Sequence, residues 1–155
     1  MTPAINAAKK AQIDFKVHEY EHETSALSYG NEAAEKLAVS ARQVFKTLVV
    51  CLDNKNFAVG LVAVSAMLNM KRFAKASGAK KAVMADKHDV ERLTGYVLGG
   101  VSPLGQKKRL KTLIDISAEN LSSVYVSAGR RGLEIELSPE SLKKLTDGRF
   151  AEISQ

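Results

Sequence analysis

The run Val44-Phe45-Lys46-Thr47-Leu48-Val49-Val50 reads as a buried strand carrying a single charge. Side chains on a strand alternate between faces, so Lys46 shares a face with Val44, Leu48 and Val50. An ammonium on an apolar face is costly unless it is paired or opens into a polar pocket. Lys46 is therefore a candidate for chemistry. The alternative is a lysine at the strand's edge, its stem on the core and its head in water.

The second chemical feature is Gly99-Gly100-Val101-Ser102-Pro103-Leu104-Gly105. Three glycines and a proline in seven residues let backbone approach a ligand closely and aim N–H groups outward. Such a loop can hold a carbonyl oxygen as it turns negative during acyl transfer. No Gly-Lys-Ser/Thr follows, which excludes a Walker loop, and the charged stretch after it excludes a dinucleotide fingerprint. A tight connection between strands would use the same residues. Directly after it, Gln106-Lys107-Lys108-Arg109-Leu110-Lys111 places four cations in five residues. They suit the phosphates of a nucleic acid end, or form a solvated face. A second basic turn, Gly129-Arg130-Arg131-Gly132, carries the same two readings, and hairpin-turn chemistry explains it without RNA.

Other reactive residues form no recognisable set. His18 and His22 are four apart but lie in extended chain with no third ligand at useful spacing, so no metal site is expected. Cys51 follows an apolar strand and reads as an inert thiol. Ser65, Ser102 and Ser127 show no Ser-His-Asp order. The chain offers no evident nucleophile of its own.

The elements that must position these residues follow from local signals. Thr2-Pro3 starts a helix running to about Ala11, and Ile13 to Tyr20 reads as a strand. The polar stretch Glu21 to Tyr29 leads into a helix from Gly30-Asn31 through Leu37. Asp53-Asn54-Lys55-Asn56 turns the Lys46 strand into a hairpin with Phe57 to Val62. Asn69 opens a helix ended by Gly78, Val83 to Ala85 is a short strand, and Asp86 caps a helix over Lys87 to Leu93. Strands at Leu110 to Asp115, Val124 to Ser127 and Leu133 to Leu137, a helix from Ser138-Pro139, and a strand at Phe150 to Ile153 complete the list. The sum is an α+β fold, a single domain over 1–155 with a curved mixed sheet flanked by helices.

Composition sets bounds. A hydrophobic fraction of 45% and a charged fraction of 26% are those of a globular domain. No apolar run is long enough to span a membrane, no secretory leader is visible, and a lone cysteine fits a reducing cytoplasm. Twenty-three Lys+Arg against seventeen Asp+Glu, a net +6, favours a polyanionic partner. Without Trp and with few aromatics there is no broad stacking platform, so RNA contact would rest on phosphates and one end of the molecule.

Taken together, Met1 to Ala4, Phe45 to Val50, Ala79-Lys80-Lys81 and the block Thr94 to Arg109 resemble the YbaK/EbsC family, and within it the YbaK-type Cys-tRNA(Pro) deacylases. Tyr125 to Ser127 and Arg131 to Leu137 carry the resemblance toward the C-terminus. It implies the fold of the editing domain associated with prolyl-tRNA synthetase and a cytoplasmic enzyme that hydrolyses mischarged Cys-tRNA(Pro) at the 3′ ester. No cofactor, metal, membrane or DNA is implied; the partners would be tRNA and prolyl-tRNA synthetase. By position, Lys46 is the essential lysine, and Gly99, Gly100, Val101 and Ser102 hold the reacting carbonyl. Tyr20, Pro103, Gly105, Ser127 and Glu134 line the substrate pocket, and Lys107, Lys108 and Arg109 meet the tRNA. Three departures stand out: Glu134 where some relatives have aspartate, Ala128 where glycine is common, and Phe45 for a frequent tyrosine. An Ala- or Ser-specific deacylase of the same fold and a non-catalytic tRNA- or synthetase-binding module remain as alternatives.

Overall fold

The computed structural model describes residues 1–23 and 29–155. Of the expected polar stretch Glu21 to Tyr29, residues 24–28 lie outside the described residues. Helix α1 spans Pro3–Lys10, capped by the Thr2 hydroxyl, which accepts the Ile5 N–H at 3.2 Å. Strand β1 is Phe15–Glu19 and helix α2 is Tyr29–Lys36. The Lys46 strand is β2, Phe45–Leu52, paired antiparallel with β3, Asn56–Ala63. Asp53 and Asn54 turn the hairpin at φ +53° and +60°, a conformation these two residue types tolerate better than most. Helix α3, Met70–Ser77, begins at the Asn69 cap and ends at left-handed Gly78. Strand β4 (Ala82–Met84), helix α4 (Lys87–Thr94, capped by Asp86) and strand β5 (Lys111–Asp115) follow. The hairpin β6 (Val124–Arg130) and β7 (Leu133–Leu137), helix α5 (Pro139–Thr146) and strand β8 (Arg149–Ala151) finish the chain.

The α+β class and mixed pairing are as expected, and the hydrogen bonding divides the sheet in two. Strands β1-β7-β6 form an antiparallel sheet; β4-β2-β3-β5-β8 form a mixed one. A parallel bridge between Val44 and Tyr125 joins them at the start of β2. The larger sheet is packed on both faces. Phe45, Val49, Val59 and Leu61 enter one apolar cluster, while Val50, Leu52, Ala58 and Val62 pack with Phe73 and Ala74 of α3. Three expected strands are shorter than drawn: Ile13 and Tyr20 lie outside β1, Leu110 lies outside β5, and the last strand stops at Ala151. Beyond it, Ile153 donates its N–H to the Asp115 carboxylate, which draws the chain off the sheet's edge.

Candidate active site

Alternation and register place four side chains in one row. Val44 and Tyr125, bridged in parallel, share a face, so the next same-face residues are Lys46 on β2 and Ser127 on β6. Ser127 pairs with Glu134 on β7, and Glu134 with His18 on β1. Tyr20 lies on the same face just past β1, its N–H donated to the Gly132 carbonyl at 2.9 Å. Past the Val44–Tyr125 bridge the two sheets part, and a cavity of about 470 Å³ opens between them. Lys46 lines one side, and Ser127, Glu134 and Tyr20 the other. Leu98, Gly99 and Val101 wall it, and Ala33 of α2 closes a further side.

The electrostatics follow from burial. Lys46 interrupts an apolar face whose other members belong to separate clusters, Val44 to one and Leu48 and Val50 to another. Partial burial pulls its ammonium below the usual lysine range, and no carboxylate pairs with it among the described residues. Glu134 is only 6% exposed, and desolvation pushes its carboxyl up to about 8, so it is largely protonated at neutral pH. Burial and the neighbouring Glu134 raise the Tyr20 phenol. The cavity thus holds one unpaired cation and one neutral acid. That combination suits a ligand carrying negative charge beside a group that needs a hydrogen-bond donor.

The glycine loop is a rigid wall whose two sides face different cavities. The Tyr96 hydroxyl donates to the Leu104 carbonyl at 2.6 Å, and Gln106 Nε2 donates to the Ser102 carbonyl at 2.9 Å. Gly99 and Val101 line the first cavity. Gly100 does not; its N–H donates to the Val97 carbonyl at 3.0 Å, and it lies against the Arg130 backbone. Ser102 is fully buried, and its hydroxyl accepts the Leu104 N–H. Pro103 and Gly105 line a second cavity behind the loop, of about 430 Å³, because the loop reverses there and Gly105 (φ +64°) packs on the Pro3 carbonyl. A methyl group on Gly100 would sit 2.7 Å from Arg130 Cα, so Gly100→Ala is expected to cost about 1–3 kcal/mol, read as a lower urea midpoint.

Of the expected cations, Lys107, Lys108 and Arg109 are all exposed and none lines the first cavity. The N–H groups of Lys107 and Lys108 cap the end of α4 at the Thr94 and Leu93 carbonyls, which turns the run away, and Arg109 joins Lys10 at the second cavity. In the other basic turn, Arg131 reaches Glu32 of α2 at 3.2 Å and ties the β6–β7 hairpin to that helix. His18 Nε2 contacts Glu136 at 2.9 Å, and among the described residues no three His, Cys, Asp or Glu side chains could hold a metal. Cys51 does not line the cavity. The sequence reading missed Leu98 and Ala33 as lining residues; Leu98 is 49% exposed, and an aliphatic pair before Gly99 was the available signal.

Comparisons with known proteins bear on the family and the fold. The aminoacyl-tRNA editing domain family matches residues 24–145. The chain is 38% identical over 99% of its length, and 93% of the relative's, to the Enterococcus faecalis protein EbsC, provisionally named a Cys-tRNA(Pro)/Cys-tRNA(Cys) deacylase. It is 29% identical over 81% of its length, and 79% of the relative's, to the uncharacterised Bacillus subtilis protein YwhH. Among solved structures, one described provisionally as a trans-editing enzyme for prolyl-tRNA synthetase superposes with a TM-score of 0.88 at 23% identity, covering 99% of this chain and 95% of that one.

Proposed function

The chain belongs to the aminoacyl-tRNA editing domain family, and from that premise we propose that it is a deacylase that clears cysteine from mischarged Cys-tRNA(Pro) in the cytoplasm. One observation carries the reading: a half-buried lysine faces a glycine wall, and among the described residues neither a pairing acid for it nor an activated nucleophile lines the cavity. The Ser127 hydroxyl accepts the Gly129 N–H, and its cross-strand neighbour Glu134 is protonated at neutral pH, so no base stands ready beside it. The substrate then supplies the nucleophile. Its thiol loses a proton to water, and the sulfur attacks the ester carbonyl carbon. The carbon–oxygen bond breaks, its electron pair stays on the ribose oxygen, and that oxygen takes up a proton. The product is a strained cyclic thioester, which water opens to free cysteine.

The protein's part is positioning and charge. Lys46 attracts the phosphate of the terminal nucleotide and the charge that develops on the acyl group. Gly100's N–H is already engaged, so the loop's donors for the carbonyl oxygen are those of Gly99 and Val101. A cavity of about 470 Å³ is far roomier than a cysteinyl side chain, which favours selection by thiol chemistry over selection by size. We assign the choice of tRNA body to a partner, prolyl-tRNA synthetase.

The test is release of amino acid from Cys-tRNA(Pro), Cys-tRNA(Cys), Ala-tRNA(Pro) and Ser-tRNA. The expected result is fast cysteine release from both cysteinyl substrates, much slower release of serine and alanine, and no loss with Cys51→Ala. Preferential release of alanine would retain the fold and discard the thiol mechanism. No release at all would favour a binding module.

A further inference from the structure

The cavity has the form of an interrupted parallel ladder. At the Val44–Tyr125 bridge, the Tyr125 N–H donates to the Gln43 carbonyl at 2.8 Å. Farther along β2, the Val49 carbonyl accepts the Ala85 N–H on the same edge. The Val44 carbonyl instead accepts from Val64 of the β3 side. Backbone groups alternate between the two edges of a strand, so the N–H and C=O groups of Phe45 and Thr47 also point outward, away from β3. Continued by one step, a parallel ladder would join the Ser127 N–H to the Phe45 carbonyl and the Thr47 N–H to the Ser127 carbonyl. No such rung follows the bridge among the described residues; the cavity lies there instead. Five consecutive residues, Val44 to Leu48, line it, as expected when a strand is seen along its edge.

We propose that this broken rung is the recognition site for the α-aminoacyl group. Its ammonium donates to the Phe45 and Ser127 carbonyls, and its carbonyl oxygen accepts the Thr47 N–H on one lone pair, leaving the other to the Gly99 and Val101 donors of the loop. The site then requires an unblocked α-amino group, whichever side chain follows. An α-ammonium has three donors and an acyl oxygen only lone pairs, and the two facing edges offer acceptors and donors in that alternation. Unsatisfied backbone groups within a cleft are costly until a ligand pairs them, which gives the complementarity its strength. This inference rests on the deacylase reading for its choice of ligand.

The experiment is a ¹⁵N amide titration of the whole chain with adenosine carrying cysteine through a non-cleavable 3′ amide, repeated with the analogue lacking the α-amino group. The Thr47 and Ser127 amide resonances are expected to move, and the des-amino analogue to bind at least about tenfold more weakly. Perturbation confined to the Leu98–Val101 wall, or equal affinity for the two analogues, overturns the proposal. Thr47→Pro deletes the outward N–H without removing a bond to β3. If folded, it should bind the cysteinyl analogue at least about tenfold more weakly, and unchanged binding overturns the assignment. Because binding is read without turnover, edge recognition stands even if the ester is not cleaved; that result would sink the deacylase reading alone.

Discussion

Lys46→Ala is expected to lower kcat/KM for Cys-tRNA(Pro) by at least about 100-fold, the scale on which a preorganised charge at a reacting acyl group acts. The physical basis is the setting of the ammonium. It sits between two apolar clusters, drawn below its usual titration range by burial, with no ion-pair partner among the described residues. A cation held that way does not serve the fold, since pairing with an acid would have relieved its desolvation. Stability should therefore move in the opposite direction from activity. Lys46→Met keeps the unbranched stem and removes the charge, and should raise unfolding stability by about 0.5–2 kcal/mol while matching the alanine variant's loss of turnover. A methionine variant that is both less stable and fully active would return Lys46 to the role of an edge residue with its head in water. Deacylation rates and urea midpoints on the three proteins decide it.

Lys46 is legible in the sequence because alternation is local: a charge between Val44 and Leu48 is visible without knowing what packs there. The glycine loop was legible as a block but not residue by residue. Which of Gly99 to Gly105 face the cavity depends on hydrogen bonds the loop makes with itself and on its contacts with the Pro3 and Arg130 backbone, groups remote in sequence. Ser102 illustrates the limit. Its type and place suit chemistry, yet its hydroxyl is consumed in holding Leu104. Glu134 enters the pocket only by resemblance, because its alternating strand carries no local mark of burial. Its burial follows from Ser127 beside it and from the cavity walls, which only the tertiary arrangement brings together. The opening itself is least legible of all. It depends on β2 and β6 meeting at one bridge and then parting, a long-range register with no local sequence mark.

Glu134→Gln separates the chemistry of this carboxyl from its burden on the fold. Burial raises its folded pKa to about 8 from an ordinary value of 4.5. Between those values the native protein keeps a proton that the unfolded chain has released, so native stability falls as pH rises through the window, by about 1.4 kcal/mol per pH unit. Above pH 8 the loss is complete. Glutamine has the same shape and no proton to lose, so this contribution vanishes in the variant. The two proteins should have similar stability near pH 4 and diverge steadily up to pH 8, with the variant the more stable. Taking the difference between them cancels groups common to both, such as Asp115, whose lowered pKa works in the opposite direction. Activity adds a second readout. If the protonated carboxyl serves as a hydrogen-bond donor, the glutamine amide replaces it, and kcat/KM at pH 7 should stay within about tenfold. Wild-type activity should also drop relative to the variant above pH 8, where Glu134 becomes a carboxylate facing the substrate's developing negative charge. A dead Glu134→Gln enzyme with a normal fold would instead make Glu134 the base that activates thiol or water, and the neutral-donor role would have to be given up.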